Sequence, residues 1–339
     1  MVRFDSEFSR RKIMGSAAAI AVSAVLPSIV NAQDSSPEAS PATGEWSFTD
    51  DRGVTVTLPQ RPTRIVADLS AAAPLWDFGI RPLAVSGWTV TSDQAWGNVD
   101  RSTPVINAVD GQPEPDNEKL IELETELFVT ITWSKGDPDD VWSFSEVENR
   151  LTTEAICPIV AIAATGSANE NMLRFAELAG LLGADLESTE LATAQTEYEA
   201  SVTAFSELAV EKSDLSVLFG SAGTEAEWYA AYPPDWADLA WYQSLGLNIV
   251  EPSVSPGDYW EILSFEQALL YPSDIFFQST RLGTLTAEEL QANTTFGLHP
   301  AIAAGQIGGW NQDFIMSYQG LKAALDNMIT TISAAGKVT

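Results

Sequence analysis

Residues 186–212 read LESTELATAQTEYEASVTAFSELAVEK, with no Gly or Pro to interrupt them. The larger apolar residues, Leu191, Tyr198, Val202, Phe205 and Leu208, recur at the three- and four-residue spacing of one helical face. Glu187, Glu190, Glu197, Glu199 and Glu207 fill the rest with charge, as on a helix lying along a surface. About 26 residues at a rise of ~1.5 Å make a rod of roughly 39 Å, long enough to run past two small domains.

On either side the pattern shifts to short apolar runs separated by helical stretches. Residues 46–58, WSFTDDRGVTVTL, alternate apolar and polar positions around Asp50-Asp51-Arg52-Gly53, which predicts a β-hairpin. Residues 64–69, 83–86, 127–133 and 158–162 read as buried strands. Helices are predicted over 71–78, closed by Gly79, and over 118–123, 144–153 and 169–182, the last ended by Gly183. Beyond the rod, 215–219, 248–250, 275–278 and 306–307 read as extended. Residues 237–245, 265–270, 300–304 and 314–332 read as helical, so the second half repeats the plan of the first. This alternation belongs to a parallel, doubly wound sheet. The expected class is α/β: two doubly wound lobes joined by a single long helix. The corresponding division is 46–168, a helical spine at 169–212, and 213–339.

The N-terminus reads as an address. Ser9-Arg10-Arg11-Lys12-Ile13-Met14 is a twin-arginine pattern, followed by an Ala-rich run over 15–30 and a small-residue cleavage site at Val30-Asn31-Ala32. The run falls short of the ~20 residues that span a bilayer. Residues 1–32 are therefore expected to be a twin-arginine signal peptide, and the Ser-, Pro- and Ala-rich residues 33–45 a flexible linker. No Cys lies near the cleavage site, so the mature protein is expected in the periplasm, envelope or medium without a lipid anchor or membrane insertion.

Charge narrows the partners. Removing 1–32 takes four of the 17 basic and two of the 47 acidic residues, leaving 13 against 45, a net charge of −32. Such a surface repels nucleic acid and anionic lipid. Solubility or salt adaptation accounts for it, and a cationic ligand is the sharper alternative. The single Cys157 excludes an intramolecular disulfide.

Catalytic motifs are missing. There is no GxGxxG, Walker loop or HExxH, and Phe219-Gly220-Ser221-Ala222-Gly223 lacks the Gly two residues before the Ser that a nucleophile elbow requires. His299 is the only histidine and precedes Pro300 at a helix start, where capping or packing is the commoner role. No catalytic residue, metal site or cofactor is expected. An envelope hydrolase on the same scaffold is the rival class, and it would lack a base.

The positive signal is aromatic. In open α/β sheets ligands bind beyond the carboxyl ends of the strands. Trp88 and Trp133 fall there, as do Trp228 and Tyr229 in the loop expected after 215–219. Tyr259 and Trp260 follow 248–250, Arg281 follows 275–278, and Trp310 follows 306–307. Their loops are rich in Gly, Ser and Asp, unlike a core. These eight residues are the expected ligand contacts, and flat aromatic walls with few charges suit a large, partly apolar organic ligand. Arg281 is expected to meet an anionic part of that ligand or to form a surface ion pair.

Six ordered segments carry a resemblance: DDRGVTVTLPQRPTRIV, GIRPLAVSGW, PEPDNEKLIELETELFVTITW, ELAGLLGAD, SFEQALLYPSDIFF and HPAIAAGQIGGW. With them the chain resembles the solute-binding proteins of ABC importers that carry ferric siderophores, haem and cobalamin, over almost the whole mature sequence. One departure is Glu124-Thr125-Glu126-Leu127 where Pro-Asp is usual. The branch that binds bare zinc or manganese uses several histidines, which this chain lacks. The resemblance implies two α/β lobes on one long helix with the ligand cleft between the lobes, and a non-enzymatic, monomeric ligand-capture subunit. A ferric siderophore is the expected ligand, with iron only inside it, and cobalamin or haem is the rival. It also implies that Glu118 and Glu266, each at a helix start in matching segments of the two halves, face arginines of the permease subunits. The favourable helix dipole at such a position, worth ~0.3–1 kcal/mol, is a sufficient structural explanation of either.

Overall fold

The computed structural model describes residues 44–108, 112–224 and 227–339. The expected signal peptide and all but the end of the expected linker lie outside the described residues. In chain order the first half contains β1 (Trp46–Thr49), β2 (Thr55–Leu58), β3 (Ile65–Asp68), α1 (Leu69–Asp77) and β4 (Ala84–Ser86). It continues with α2 (Asn117–Glu122), β5 (Leu127–Thr132), α3 (Val147–Glu154), β6 (Ile159–Ala163) and α4 (Ala168–Leu181). The rod is α5 (Thr189–Glu211). After it come β7 (Val217–Ala222), β8 (Glu227–Ala231), α6 (Ala237–Ser244), β9 (Trp260–Ser264) and β10 (Ile275–Ser279). The chain closes with α7 (Ala287–Ala292), α8 (Pro300–Ala303), β11 (Ile307–Trp310) and α9 (Tyr318–Ala334).

The first sheet has the order β4-β3-β5-β6, all parallel. All of its strand residues are buried, which is why they read as continuous apolar runs. Hairpin β1–β2 closes its open edge. Asp50 and Asp51 in the turn accept the Ala161 and Ala163 N–H groups at 3.0 and 2.8 Å, and Arg52, paired with Asp50 at 2.8 Å, donates to the Ile159 carbonyl. The charged DDRG turn thus satisfies backbone groups that β6 would otherwise leave unpaired.

The second sheet runs β11-β10-β7-β8-β9. Strands β7, β10 and β11 are parallel, as expected. The antiparallel pair β8 and β9 was not foreseen and corrects three readings. Trp228 and Tyr229 lie on a strand rather than in a loop, Trp260 starts the next strand, and residues 248–250 contribute only a bridge between Ile249 and Val217. The stretch Phe265–Leu270 is a 3-10 helix with a Ser264/Gln267 capping box.

Helix α5 buries Leu191, Tyr198, Ser201, Phe205 and Ala209, while Val202 and Leu208 are half-buried. It packs along α9, where Ser201 donates to Asp326 at 2.8 Å. Tyr198 donates to Asn169 of α4 at 2.6 Å and lies against Trp241 of α6 and Tyr318 of α9. One hydrophobic core therefore runs from the inner faces of both sheets through this helix. Among the described residues no helix is long and apolar enough to cross a membrane.

Candidate functional site

The carboxyl ends of the parallel strands of both sheets converge on one cleft. Ser70 after β3, Trp133 after β5, Ala164 after β6, Arg281 after β10 and Gln312 with Asp313 after β11 all line it, joined by Trp142 and Trp236. Its enclosed part measures about 60 Å³. A second hollow of about 350 Å³ lies past Trp310, beside α9, lined by Gln94, Thr280, Asn311 and Asn327 as well as by Gly309, Gly320, Ala323 and Ala324.

Aromatic rings cross the cleft. Trp133, from the first sheet, meets Trp142 at 5.8 Å between centroids, Trp236 at 6.2 Å and Tyr259 at 5.7 Å, each edge to face. Trp236 in turn lies 4.8 Å from Trp260 and 5.2 Å from Trp310. Edge-to-face contacts of this kind add ~0.5–1.5 kcal/mol beyond the area they bury.

Carboxylates fix the loops that carry these rings. Asp140 accepts from Thr132 Oγ1 at 2.6 Å and from the N–H groups of Trp133 and Ser134 at 2.6 and 2.7 Å. Asp235 accepts from the N–H groups of Gly257 and Tyr259 at 2.7 and 3.1 Å. Tyr259 there adopts φ +60°, and Ser143, next to Trp142, adopts φ +81°. Such left-handed backbone costs ~1–3 kcal/mol in a non-glycine residue and persists where surroundings over-determine it. Ser143 is held because its hydroxyl donates to the fully buried Asp68, which also accepts the Ser70 N–H at 2.8 Å. Burial raises the Asp68 carboxyl above its ordinary value, against the pull of Ser143. Gly87 (φ +118°) leaves room for that carboxylate, because a Cβ there would overlap it.

The predicted residues separate into groups. Trp133 and Arg281 line the cleft, while Tyr259, Trp260 and Trp310 back it through Trp236, with Tyr229 behind Trp260 at 6.1 Å. Trp88 is half-buried and starts the 3-10 helix Trp88–Thr91, whose Thr89 reaches the wall. Trp228 is not part of this group. Strand alternation turns it to the opposite face of the second sheet from Tyr229, and it is fully buried against Phe276 and Phe296. His299 is buried in that same core, its Nε2 3.0 Å from the Tyr271 carbonyl. Glu118 and Glu266 are exposed in the first turns of their helices, away from the cleft lining. The residues missed were Trp142, Trp236, Gln312 and Asp313. Trp142 and Trp236 lie well past the strand ends that sequence reasoning recognises, and Gln312 and Asp313 follow a strand whose end the sequence does not mark.

Beneath the cleft, Trp310 Nε1 donates to Asp238 at 2.7 Å. Burial pushes the Asp238 carboxyl up to about 6, with the Trp310 bond and Arg281 opposing the rise. The native state thus keeps this proton, from the ordinary 3.8 up to about pH 6, where the unfolded chain has lost it. Stability then falls as pH rises through that window and is level above it, a decline of roughly 3 kcal/mol. Asp238→Asn, which keeps an acceptor for Trp310, is expected to abolish the decline and to exceed the wild type at pH 7.5 by up to ~3 kcal/mol in urea unfolding. Parallel pH profiles for the two proteins would refute this.

Fold and cleft together define a two-lobed capture protein built on a helical spine, with aromatic walls where the strands of both lobes end. Comparison gives the family. No family model matches the chain, and no curated protein does. Among solved structures, it is 30% identical to DesE, a ferric-siderophore receptor protein from Streptomyces coelicolor, over 87% of this chain and 100% of that one, with a TM-score of 0.78. The siderophore periplasmic binding protein from the fuscachelin gene cluster of Thermobifida fusca shares the fold at 18% identity, covering 81% of this chain and 98% of that one (TM-score 0.58). So does the catecholate-siderophore binding protein VctP of Vibrio cholerae, at 16% identity over 86% and 98% (TM-score 0.59). The chain belongs to the siderophore-binding class of ABC importer solute-binding proteins with a single helical backbone.

Proposed function

We propose that this protein is the extracytoplasmic binding subunit of an ABC importer, that it captures a ferric siderophore, and that it hands the intact complex to the permease without chemistry. The aromatic cleft at the strand ends of both sheets carries this reading. Its walls offer flat apolar surface and a few polar groups, the composition of sites for organic ligands. An enclosed volume of about 60 Å³ is well below the ~300–1,000 Å³ of ligand pockets, so a chelate enters as Trp133 parts from Trp236 and Tyr259.

On this reading, residues 1–32 direct export by the twin-arginine route and 33–45 tether a non-lipidated, monomeric protein. Residues 46–168 and 213–339 form the lobes on the helices of 169–212, and Glu118 and Glu266 face the permease. Iron enters only inside the ligand, and no separate cofactor is bound. The test is native mass spectrometry of protein purified from its own host, with calorimetric titration against a panel of ferric siderophores, haem and cobalamin. A mass increment equal to an iron chelate, with submicromolar affinity for at least one panel member of that class, is expected. Binding of haem or cobalamin alone, or turnover of a hydrolase substrate, would refute the assignment.

A further inference from the structure

Among the described residues, only two that line the cleft carry formal charge, Arg281 and Asp313. They are bound to each other. Arg281 Nε and Nη2 both donate to Asp313 Oδ1, at 3.0 and 2.6 Å, and the other carboxylate oxygen accepts from Ser92 Oγ at 3.3 Å. The Asp313 side chain is 7% exposed and that of Arg281 42%, so the anion is the anchored member and the guanidinium reaches the opening. Two carboxylates lie close to these walls. Asp238 acts on Arg281 from beneath Trp310, and Asp140 holds the end of β5. The cleft has no cationic surplus.

It does have uncommitted donors. Gln312, 7% exposed, spends its Oε1 on Ser279 at 2.5 Å, and its buried Nε2 has no partner. The buried Nε1 of Trp133 has none either. A buried donor without a partner costs ~1–3 kcal/mol, so both gain from a ligand that presents acceptor oxygens. Neutral donors, apolar rings and a cancelled cation fit a ligand rich in acceptors but without net negative charge.

We propose that Asp313 is a specificity-determining residue, neutralising Arg281 so that the cleft takes iron(III) complexes of zero or positive net charge and refuses polyanionic ones. The proposal rests on the siderophore reading above. Three monoanionic hydroxamates cancel iron(III), whereas three dianionic catecholates leave a charge of about −3. A net charge of −30 over the whole chain adds repulsion at longer range.

The test titrates the purified protein with two probes, the iron(III) complex of a linear trihydroxamate and that of a tripodal tricatecholate, at low and high salt. The wild type is expected to prefer the hydroxamate complex by at least about 100-fold at low salt, with a smaller ratio at high salt. Asp313→Asn should narrow the ratio by about tenfold or more, chiefly by admitting the catecholate complex, and Arg281→Gln should widen it. Equal or tighter binding of the catecholate complex by the wild type would overturn the proposal and leave the siderophore reading intact. Binding of neither probe would overturn both. A ratio unchanged in Asp313→Asn, or in Arg281→Gln should the first variant not fold, would remove the role from this pair.

Discussion

Trp228→Ala is expected to lose about 3–5 kcal/mol of stability, while folded molecules keep their ligand affinity. The ring is fully buried between Phe276 and Phe296, on the face of the second sheet away from the cleft, and it spans the gap between β8 and the 3-10 turn Phe296–Leu298. Truncation leaves a cavity that strands and short helices cannot collapse into. Its Nε1 has no partner, so truncation breaks no hydrogen bond and the loss comes from packing. Trp133→Ala should behave in the opposite way. Its ring is half-buried at the cleft, and its loss should weaken ligand binding by roughly 1–3 kcal/mol while the urea midpoint moves much less. Urea unfolding and calorimetric titration of both variants read the contrast. A binding loss in Trp228→Ala without a stability loss would return that residue to the site.

The double variant Glu118→Lys/Glu266→Lys is expected to abolish ligand-driven uptake in reconstituted vesicles and to leave affinity in solution unchanged. Both carboxylates are exposed, one in the first turn of α2 and the other in the 3-10 helix that follows β9. Neither lines the cleft. The backbone N–H and Ser264 hold the Glu266 carboxyl below its ordinary value, so it is charged throughout the physiological range. On the proposed docking role, reversing both signs would replace attraction to basic permease residues by repulsion, acting on docking and not on capture. Normal uptake by the double variant, or a large loss of affinity in solution, would show that these residues do not dock.

Much of this architecture is written in local pattern. The period of Leu191, Tyr198 and Phe205 marks the spine, and the mostly apolar runs at 65–68, 127–132 and 159–163 mark strands covered on both faces. What could not be read is long-range. Strands β8 and β9 exist because Trp228 pairs with Leu263 and Tyr229 with Ile262, partners over thirty residues away, and nothing local distinguishes EWYAA from a loop. Its alternation, once the strand is known, decides that Trp228 is core and Tyr229 is not. The same limit explains Trp142. It lies ten residues past the end of β5 yet folds back, its N–H donating to the Ile131 carbonyl at 3.0 Å, because Asp68 grips Ser143. Distance along the chain concealed a neighbour in space. Arg281 was legible as a lone cation after a strand, whereas its partner Asp313 needed the end of β11 to be known.

The chain of rings running from Trp142 through Trp133 and Trp236 to Trp260 and Trp310, with centroid steps of 4.8 to 6.2 Å, has an optical consequence. At such spacing absorbed ultraviolet energy passes between indoles before any of them emits, so the group fluoresces as one chromophore drawing on five absorbers. An iron chelate that quenches one member on contact would darken the whole group.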